Sequence, residues 1–209
     1  MSKKSLVLIG AGGHANACID VIEQQGQYQI AGLVGMPHEI NTLHYGYAVI
    51  ATDNDLPTLV NSYQYAIITV GQIQTPDNRI RLYQLATELG FQFPVIIAPD
   101  SYVSPHATIG AGTIVMHGAI VNAGAKVGYN CIINTRALVE HDAMVADHCH
   151  ISTGAIVNGD ANIGTGSFVG SGSVVKEGIT IGQRSVVGTC LAVRHNQPEF
   201  ARFMGSGRS

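Results

Sequence analysis

The sequence predicts two architectures in series: a small α/β domain with a parallel sheet, then an all-β segment coiled from six-residue repeats. Three observations carry that reading. From Val103 to Val193 every sixth residue is Val or Ile, sixteen positions without a miss. Four residues after each of these lies a second register, which holds only small side chains from Ala107 to Ser173. Before residue 98 neither register exists; apolar runs of strand length alternate with longer amphipathic stretches instead.

Residues 1–97 read as a Rossmann-like domain. Ser5 to Ile9 is a buried-type strand, Gly10 to His14 a glycine-rich turn, and Ala15 to about Gln25 a helix. Tyr28 to Val34 is a second strand, Leu56 to Tyr63 a helical stretch, and Ala66 to Gly71 a third strand. Arg79 to Leu89 reads as a helix and Pro94 to Ala98 as a strand leading out. Strands alternating with helices imply a parallel sheet. Gly10-x-Gly12-x-x-Ala15 has the spacing of a dinucleotide turn, which offers backbone N–H groups to a phosphate at a helix N-terminus. An NAD site also wants a carboxylate after the second strand, and Leu33-Val34-Gly35-Met36-Pro37 supplies none. The turn is read as a site for a sugar-nucleotide diphosphate, with a merely structural loop as the alternative.

Residues 98–198 read as the repeat domain, and 199–209, ending Gly205-Ser206-Gly207-Arg208-Ser209, as a tail without a role. Each hexad makes one short strand and a turn. The aliphatic points inward, the small residue fits a tight corner, and Gly or Asn permits the turn backbone. Three hexads close an eighteen-residue coil, so successive coils stack as parallel strands along a prism.

Composition narrows the function classes. Charged residues make up only 12% of the 209, hydrophobic residues 46%, and there are 25 glycines and no tryptophan. Such a chain suits repetitive stacking with much of its surface buried, part of it against other subunits. A net charge of −3 with no basic stripe gives nucleic acid nothing to bind. The apolar run Leu6 to Ile9 is too short for a signal-peptide core, and no stretch approaches a membrane span, so the expected compartment is the cytoplasm. The four cysteines form no CxxC pair and read as small buried thiols, with Cys131 and Cys149 stacked one coil apart.

The chemistry concentrates between Asn134 and Ser152. Glu140-His141-Asp142 and Asp147-His148-Cys149-His150 hold three histidines and three acids within eleven residues. By register, His141 and His150 both project outward. Eighteen-residue stacking puts His141 between Ala123 and Gly159, whose small size leaves space beside the ring and a backbone N–H accessible. That suits a general base next to an oxyanion donor, with Asp142 orienting the imidazole. His141 and His150 are half a coil apart, so a site using both lies between neighbouring prisms, in a homotrimer with intersubunit sites. His106 and His117 also project from the prism but lack acidic neighbours and read as surface or interface. The prism separates the His and Asp side chains too widely for a metal, and none is expected.

Two motifs together give the whole chain a family resemblance: Gly10-x-Gly12-Gly13-His14-Ala15 opening the first domain, and Glu140-His141-Asp142 followed by His150-Ile151-Ser152 on the prism. The chain resembles the sugar O-acyltransferase (NeuD/PglD-type) family of hexapeptide-repeat acetyltransferases. The resemblance implies a left-handed parallel β-helix and an acetyl-CoA-dependent N-acetyltransferase acting on the 4-amino group of a UDP-, GDP- or dTDP-linked deoxysugar. It further implies His141 as the base and Asp142 as its tuner. Gly12, Gly13, His14, Gly71 and Asn134 would hold the sugar nucleotide, and His150, Gly159, Ser171 and Thr189 would line the acetyl-CoA groove. Two departures touch the acceptor end. Gly35-Met36 stands where amino-sugar members often carry Asp-Asp, and Gln72-Ile73-Gln74-Thr75-Pro76 is longer than the usual short turn. Two other readings stay open: O-acetylation of a sialic or related nonulosonic acid, and a non-catalytic β-helix scaffold.

Overall fold

A computed structural model describes residues 3–205. The tail glycine-serine stretch from residue 206 onward lies outside the described residues. The chain divides into two compact units: residues 1–71 with 77–99, and residues 72–76 with 100–209.

In the first unit five strands form one sheet. In chain order they are β1 (Lys4–Ile9), β2 (Tyr28–Gly35), β3 (Leu43–His44), β4 (Tyr47–Thr52) and β5 (Tyr65–Ile68), and across the sheet they run β3-β4-β2-β1-β5. Strands β4, β2, β1 and β5 are parallel; β3 is antiparallel to β4. Leu6 to Ile9 are fully buried, as a strand covered on both faces requires. The β3–β4 hairpin has no counterpart in the sequence reading. It turns through Tyr45 and Gly46, both at positive φ, at the sheet edge where the alternation of Tyr47 to Thr52 is weak. Helix α1 (Gly13–Gln25) ends on Gly26 in the left-handed conformation. Helix α2 is shorter than expected, Leu56–Leu59, and α3 spans Asp77–Glu88.

The second unit is a left-handed parallel β-helix, one two-residue strand per hexad from Tyr102–Val103 to Ala192–Val193. The aliphatic is the second residue of every strand, and from Val115 to Val193 each one is buried. Strands eighteen residues apart pair in parallel, as Ile120 with Leu138 and Leu138 with Ile156. Every hexad from Gly112 to Cys190 also puts the residue three after its aliphatic at positive φ. Half of these are glycine; Asn130, Arg136, Asp142, His148, Asp160, Arg184 and Cys190 bear the conformation with a side chain.

Polar corner residues are satisfied without water. Thr113 donates its hydroxyl to the Gly128 carbonyl at 2.7 Å and accepts the Cys131 N–H at 2.9 Å. Ser173 does the same with Gly188 and Leu191, at 2.6 and 2.9 Å. Cys131 and Cys149 take equivalent corners, their thiols aimed at the Ala146 and Gly164 carbonyls at 3.1 Å. Burial pushes the Cys149 thiol well above its ordinary pKa, so it makes a poor nucleophile. Cys190 is exposed rather than buried, a consequence of its outward turn position.

The coil outlasts the hexad pattern. Arg202–Phe203 pairs in parallel with Val186–Val187, so residues 199–205 continue the prism, where the sequence reading placed a tail. The register there is sixteen residues rather than eighteen, which is why the repeat signal fades although the backbone still pairs.

Candidate active site

The site begins with a turn. His141 and Asp142 follow the strand Leu138–Val139, and Asp142 adopts φ 60°. That left-handed step folds the carboxylate back beside the ring: His141 Nδ1 lies 3.1 Å from Asp142 Oδ2. A carboxylate only accepts, so Nδ1 carries a proton, and in the neutral ring Nε2 holds the lone pair of a base. The turn is braced on the neighbouring coils. Asp142 N–H donates to the Ala123 carbonyl at 3.1 Å and Asp160 N–H to the His141 carbonyl at 3.1 Å. Glu140 accepts from Asn122 Nδ2 at 2.9 Å and from the His141 N–H at 3.1 Å.

The ring rests on Gly159, one coil later. A Cβ built there would stand 2.7 Å from both Cε1 and Nε2. Gly159 is needed for space rather than for backbone freedom. Its N–H has no hydrogen-bond partner among the described residues. Together with Asn158, Asp160 and Glu177, His141 and Gly159 line an open recess of ≈ 660 Å³. A bare imidazole nitrogen beside an unpaired amide N–H can take a proton and hold a developing oxyanion.

The other predicted prism residues sit on a different side. His150 lies in the strand His150–Ile151 and is only 7% exposed. Its register is outward, opposite buried Ile151, but the segment Gln72–Pro76 lies over it: Nδ1 is 2.6 Å from the Gln72 carbonyl oxygen. Nε2 is 3.0 Å from Asn134 Nδ2. Asn134 is thus tied to His150. Ser171 and Thr189 stack eighteen residues apart, with Ser171 Oγ 2.9 Å from Ser152 Oγ and Thr189 exposed. The four residues expected to line one groove therefore divide: Gly159 belongs with His141, while Ser171 and Thr189 lie along the edge next to the His150 face. Coil arithmetic forces the split, because 159 and 171 differ by two-thirds of a turn. His117 does have an acidic partner, contrary to the sequence reading: its Nδ1 is 2.7 Å from Asp100 Oδ1, seventeen residues earlier.

In the first unit, Gly12 caps α1 in an extended conformation, and a Cβ on Gly12 or Gly13 would meet nothing within 4 Å. Both are exposed, so their amides open onto free space at a positive helix end. Gly71 passes close to His14, a Cβ at Gly71 standing 3.6 Å from the His14 Cβ. The adjoining recess, ≈ 540 Å³, is lined by Gly10 to Gly12, Gly35, Met36, Glu39, Asp53, Asn78 and Arg81 among others. Glu39 and Asp53 were missed by the sequence reading, which looked for a carboxylate directly after β2. Glu39 reaches back over Gly35 to accept the Met36 N–H at 2.7 Å. Asp53, after β4, pairs with Arg81 at 2.8 Å. A Glu three residues after an extended Met-Pro step was the available signal. No helix among the described residues is long and apolar enough to cross a membrane.

The family model of the PglD N-terminal domain matches residues 5–84. Perosamine N-acetyltransferase from Caulobacter crescentus, solved as a point mutant with CoA and GDP-perosamine, superposes with a TM-score of 0.89. It shares 30% identity over 95% of this chain and 92% of that one. The acetyltransferase domain of PglB from Neisseria gonorrhoeae, with acetyl coenzyme A, gives a TM-score of 0.85 and 31% identity over 94% of each chain. WeeI from Acinetobacter baumannii, at 18% identity and a TM-score of 0.75, shares the fold. No curated protein matches the chain by sequence.

Proposed function

This chain belongs to the PglD-type family of hexapeptide-repeat acetyltransferases, and from that membership we propose that it transfers acetyl from acetyl-CoA to the 4-amino group of a nucleotide-linked deoxysugar. The observation that carries the reading is the His141–Asp142 pair over Gly159, which leaves Nε2 bare beside an unpaired N–H. The amine attacks the thioester carbonyl while His141 Nε2 takes its proton. Asp142 stabilises the imidazolium, and the Gly159 N–H receives the oxyanion. The tetrahedral centre collapses with loss of the CoA thiolate, which recovers the proton from His141. Transfer is direct: the Cys149 thiol, in the same segment, is buried and aimed at the Gly164 carbonyl rather than at a base.

The nucleotide diphosphate would sit on the Gly12 and Gly13 amides with His14 and Gly71 beside it. Asn134 would meet the sugar, and Ser171 and Thr189 the acetyl-CoA; His150, expected with them, has both ring nitrogens engaged by Gln72 and Asn134 and would act through Asn134. Because His141 and His150 occupy different edges of one prism, we assign the complete site to the seam between neighbouring copies in a homotrimer.

A thiol-release assay with acetyl-CoA tests this directly. Wild type and His141→Ala would be run with UDP-, GDP- and dTDP-4-amino-4,6-dideoxysugars beside free and CMP-linked nonulosonic acids. Turnover of one amino sugar nucleotide, lost in His141→Ala, is the expected result. Turnover with nonulosonic acids alone would overturn the acceptor assignment. Failure of any acceptor, with no binding of acetyl-CoA, would leave a scaffold.

A further inference from the structure

The segment Gln72–Pro76, longer than a plain turn requires, is clipped to the prism. Gln72 is 3% exposed, and its amide Nε2 donates to the Gly166 carbonyl at 3.1 Å. Arg202 holds the Gln74 carbonyl at 2.9 Å. The strap thereby presents the Gln72 main-chain carbonyl to His150 Nδ1 at 2.6 Å. A carbonyl oxygen only accepts, so Nδ1 is the protonated nitrogen.

The opposite side of the ring is equally determined. Asn134 Oδ1 accepts the Thr135 N–H at 2.7 Å, and because that amide only donates, the side-chain amide cannot be turned the other way. Its Nδ2 therefore faces His150 Nε2 at 3.0 Å, and Nε2 must be the acceptor. A doubly protonated ring would set two donors against each other. Phe168, edge-on with ring centroids 5.1 Å apart, closes the space in which the imidazole could tilt away.

We infer that His150 is a positioning residue: held as the neutral Nδ1–H tautomer by the Gln72 strap, it fixes Asn134 so that the second Nδ2 hydrogen is offered to an acceptor oxygen of a ligand. One Nδ2 hydrogen goes to His150, and the other has no partner among the described residues. The ligand atom recognised is thus a carbonyl, hydroxyl or phosphate oxygen, never an ammonium group.

Long-range 1H–15N correlation on histidine-labelled trimer, or whatever assembly the full chain forms, reads the tautomer without turnover. Wild type should show His150 protonated at Nδ1 and bare at Nε2. Asn134→Asp replaces the facing donor by an acceptor and should protonate both nitrogens. Gln72→Glu places a carboxylate against the Gly166 and Ser167 carbonyls, frees the strap, and should leave the ring averaging between tautomers. A bare Nδ1 in wild type, or spectra unchanged in both variants, overturns the proposal. Only the kinetic arm rests on the acetyl-transfer reading. There Asn134→Asp should cost about tenfold in kcat/KM, the scale of one lost hydrogen bond to a buried group. If KM rises for acetyl-CoA, the oxygen belongs to the thioester cosubstrate; if for the acceptor, to the sugar. Unchanged constants for both overturn the ligand contact while leaving acetyl transfer itself standing.

Discussion

The His141 imidazole lies across Gly159, so close that a Cβ at residue 159 would stand 2.7 Å from the ring nitrogen Nε2. Gly159→Ala is then a lever on ring position alone. Its backbone conformation accepts alanine, and the colliding group is the mobile end of an exposed side chain. Thermal unfolding should shift little, while kcat falls about a hundredfold, the cost of displacing a base by about an ångström. A full-rate Gly159→Ala enzyme would show that the ring works from elsewhere.

Asp142 is 69% exposed, so its contact with His141 contributes orientation and not stability. Asparagine tolerates the left-handed backbone at this position, which makes Asp142→Asn a clean substitution. Urea unfolding should stay within about 0.5 kcal/mol of wild type. Acetyl transfer should drop about ten- to a hundredfold, as when the group orienting a working histidine is removed. Equal losses of stability and rate would assign Asp142 to the fold instead.

Space over Gly12 gives a third test. An aspartate there has room for its side chain and an ordinary backbone, but puts negative charge where a diphosphate would lie. Gly12→Asp should weaken sugar-nucleotide binding at least about tenfold by calorimetry, because the carboxylate takes the favourable place at the helix N-terminus and repels the like-charged diphosphate. Acetyl-CoA binding should not change. Intact nucleotide binding would move the phosphate away from this turn.

The Thr52 turn supplies a pH test in the same unit. The Thr52 N–H and hydroxyl, each 2.8 Å from Asp55 Oδ2, hold the Asp55 carboxyl below its ordinary pKa, the backbone donor most. A depressed carboxyl stabilises the fold above the unfolded-state pKa of about 3.9 and loses that contribution as pH falls through the lower folded value. Asp55→Ala should therefore melt earlier than wild type at pH 7, with the gap closing below pH 4. A gap that persists at pH 3 would mean that the lost contact is not ionic.

Much of this was legible in the chain itself. The six-residue spacing of Val and Ile states the prism, because a side chain facing a narrow interior must be apolar on every face of every coil. The same arithmetic placed His141 over Gly159 and Cys149 over Cys131, since stacking depends only on counting eighteen residues. Glycine at Gly12 and Gly13 similarly marked the helix N-terminus, where no side chain is needed to expose the amides. Strand edges and caps were less legible: the Leu43–Thr52 hairpin sits at a sheet edge, where burial imposes no strong pattern.

Only the tertiary structure decided what touches His150. The Gln72 carbonyl that orients it comes from 78 residues away and carries no sequence signal, because every residue has a carbonyl. Glu39 is likewise recruited by a local chain reversal, and Asp100 reaches His117 across a coil. Periodic burial is written into residue identity; a hydrogen bond to the backbone is written only into where the backbone goes.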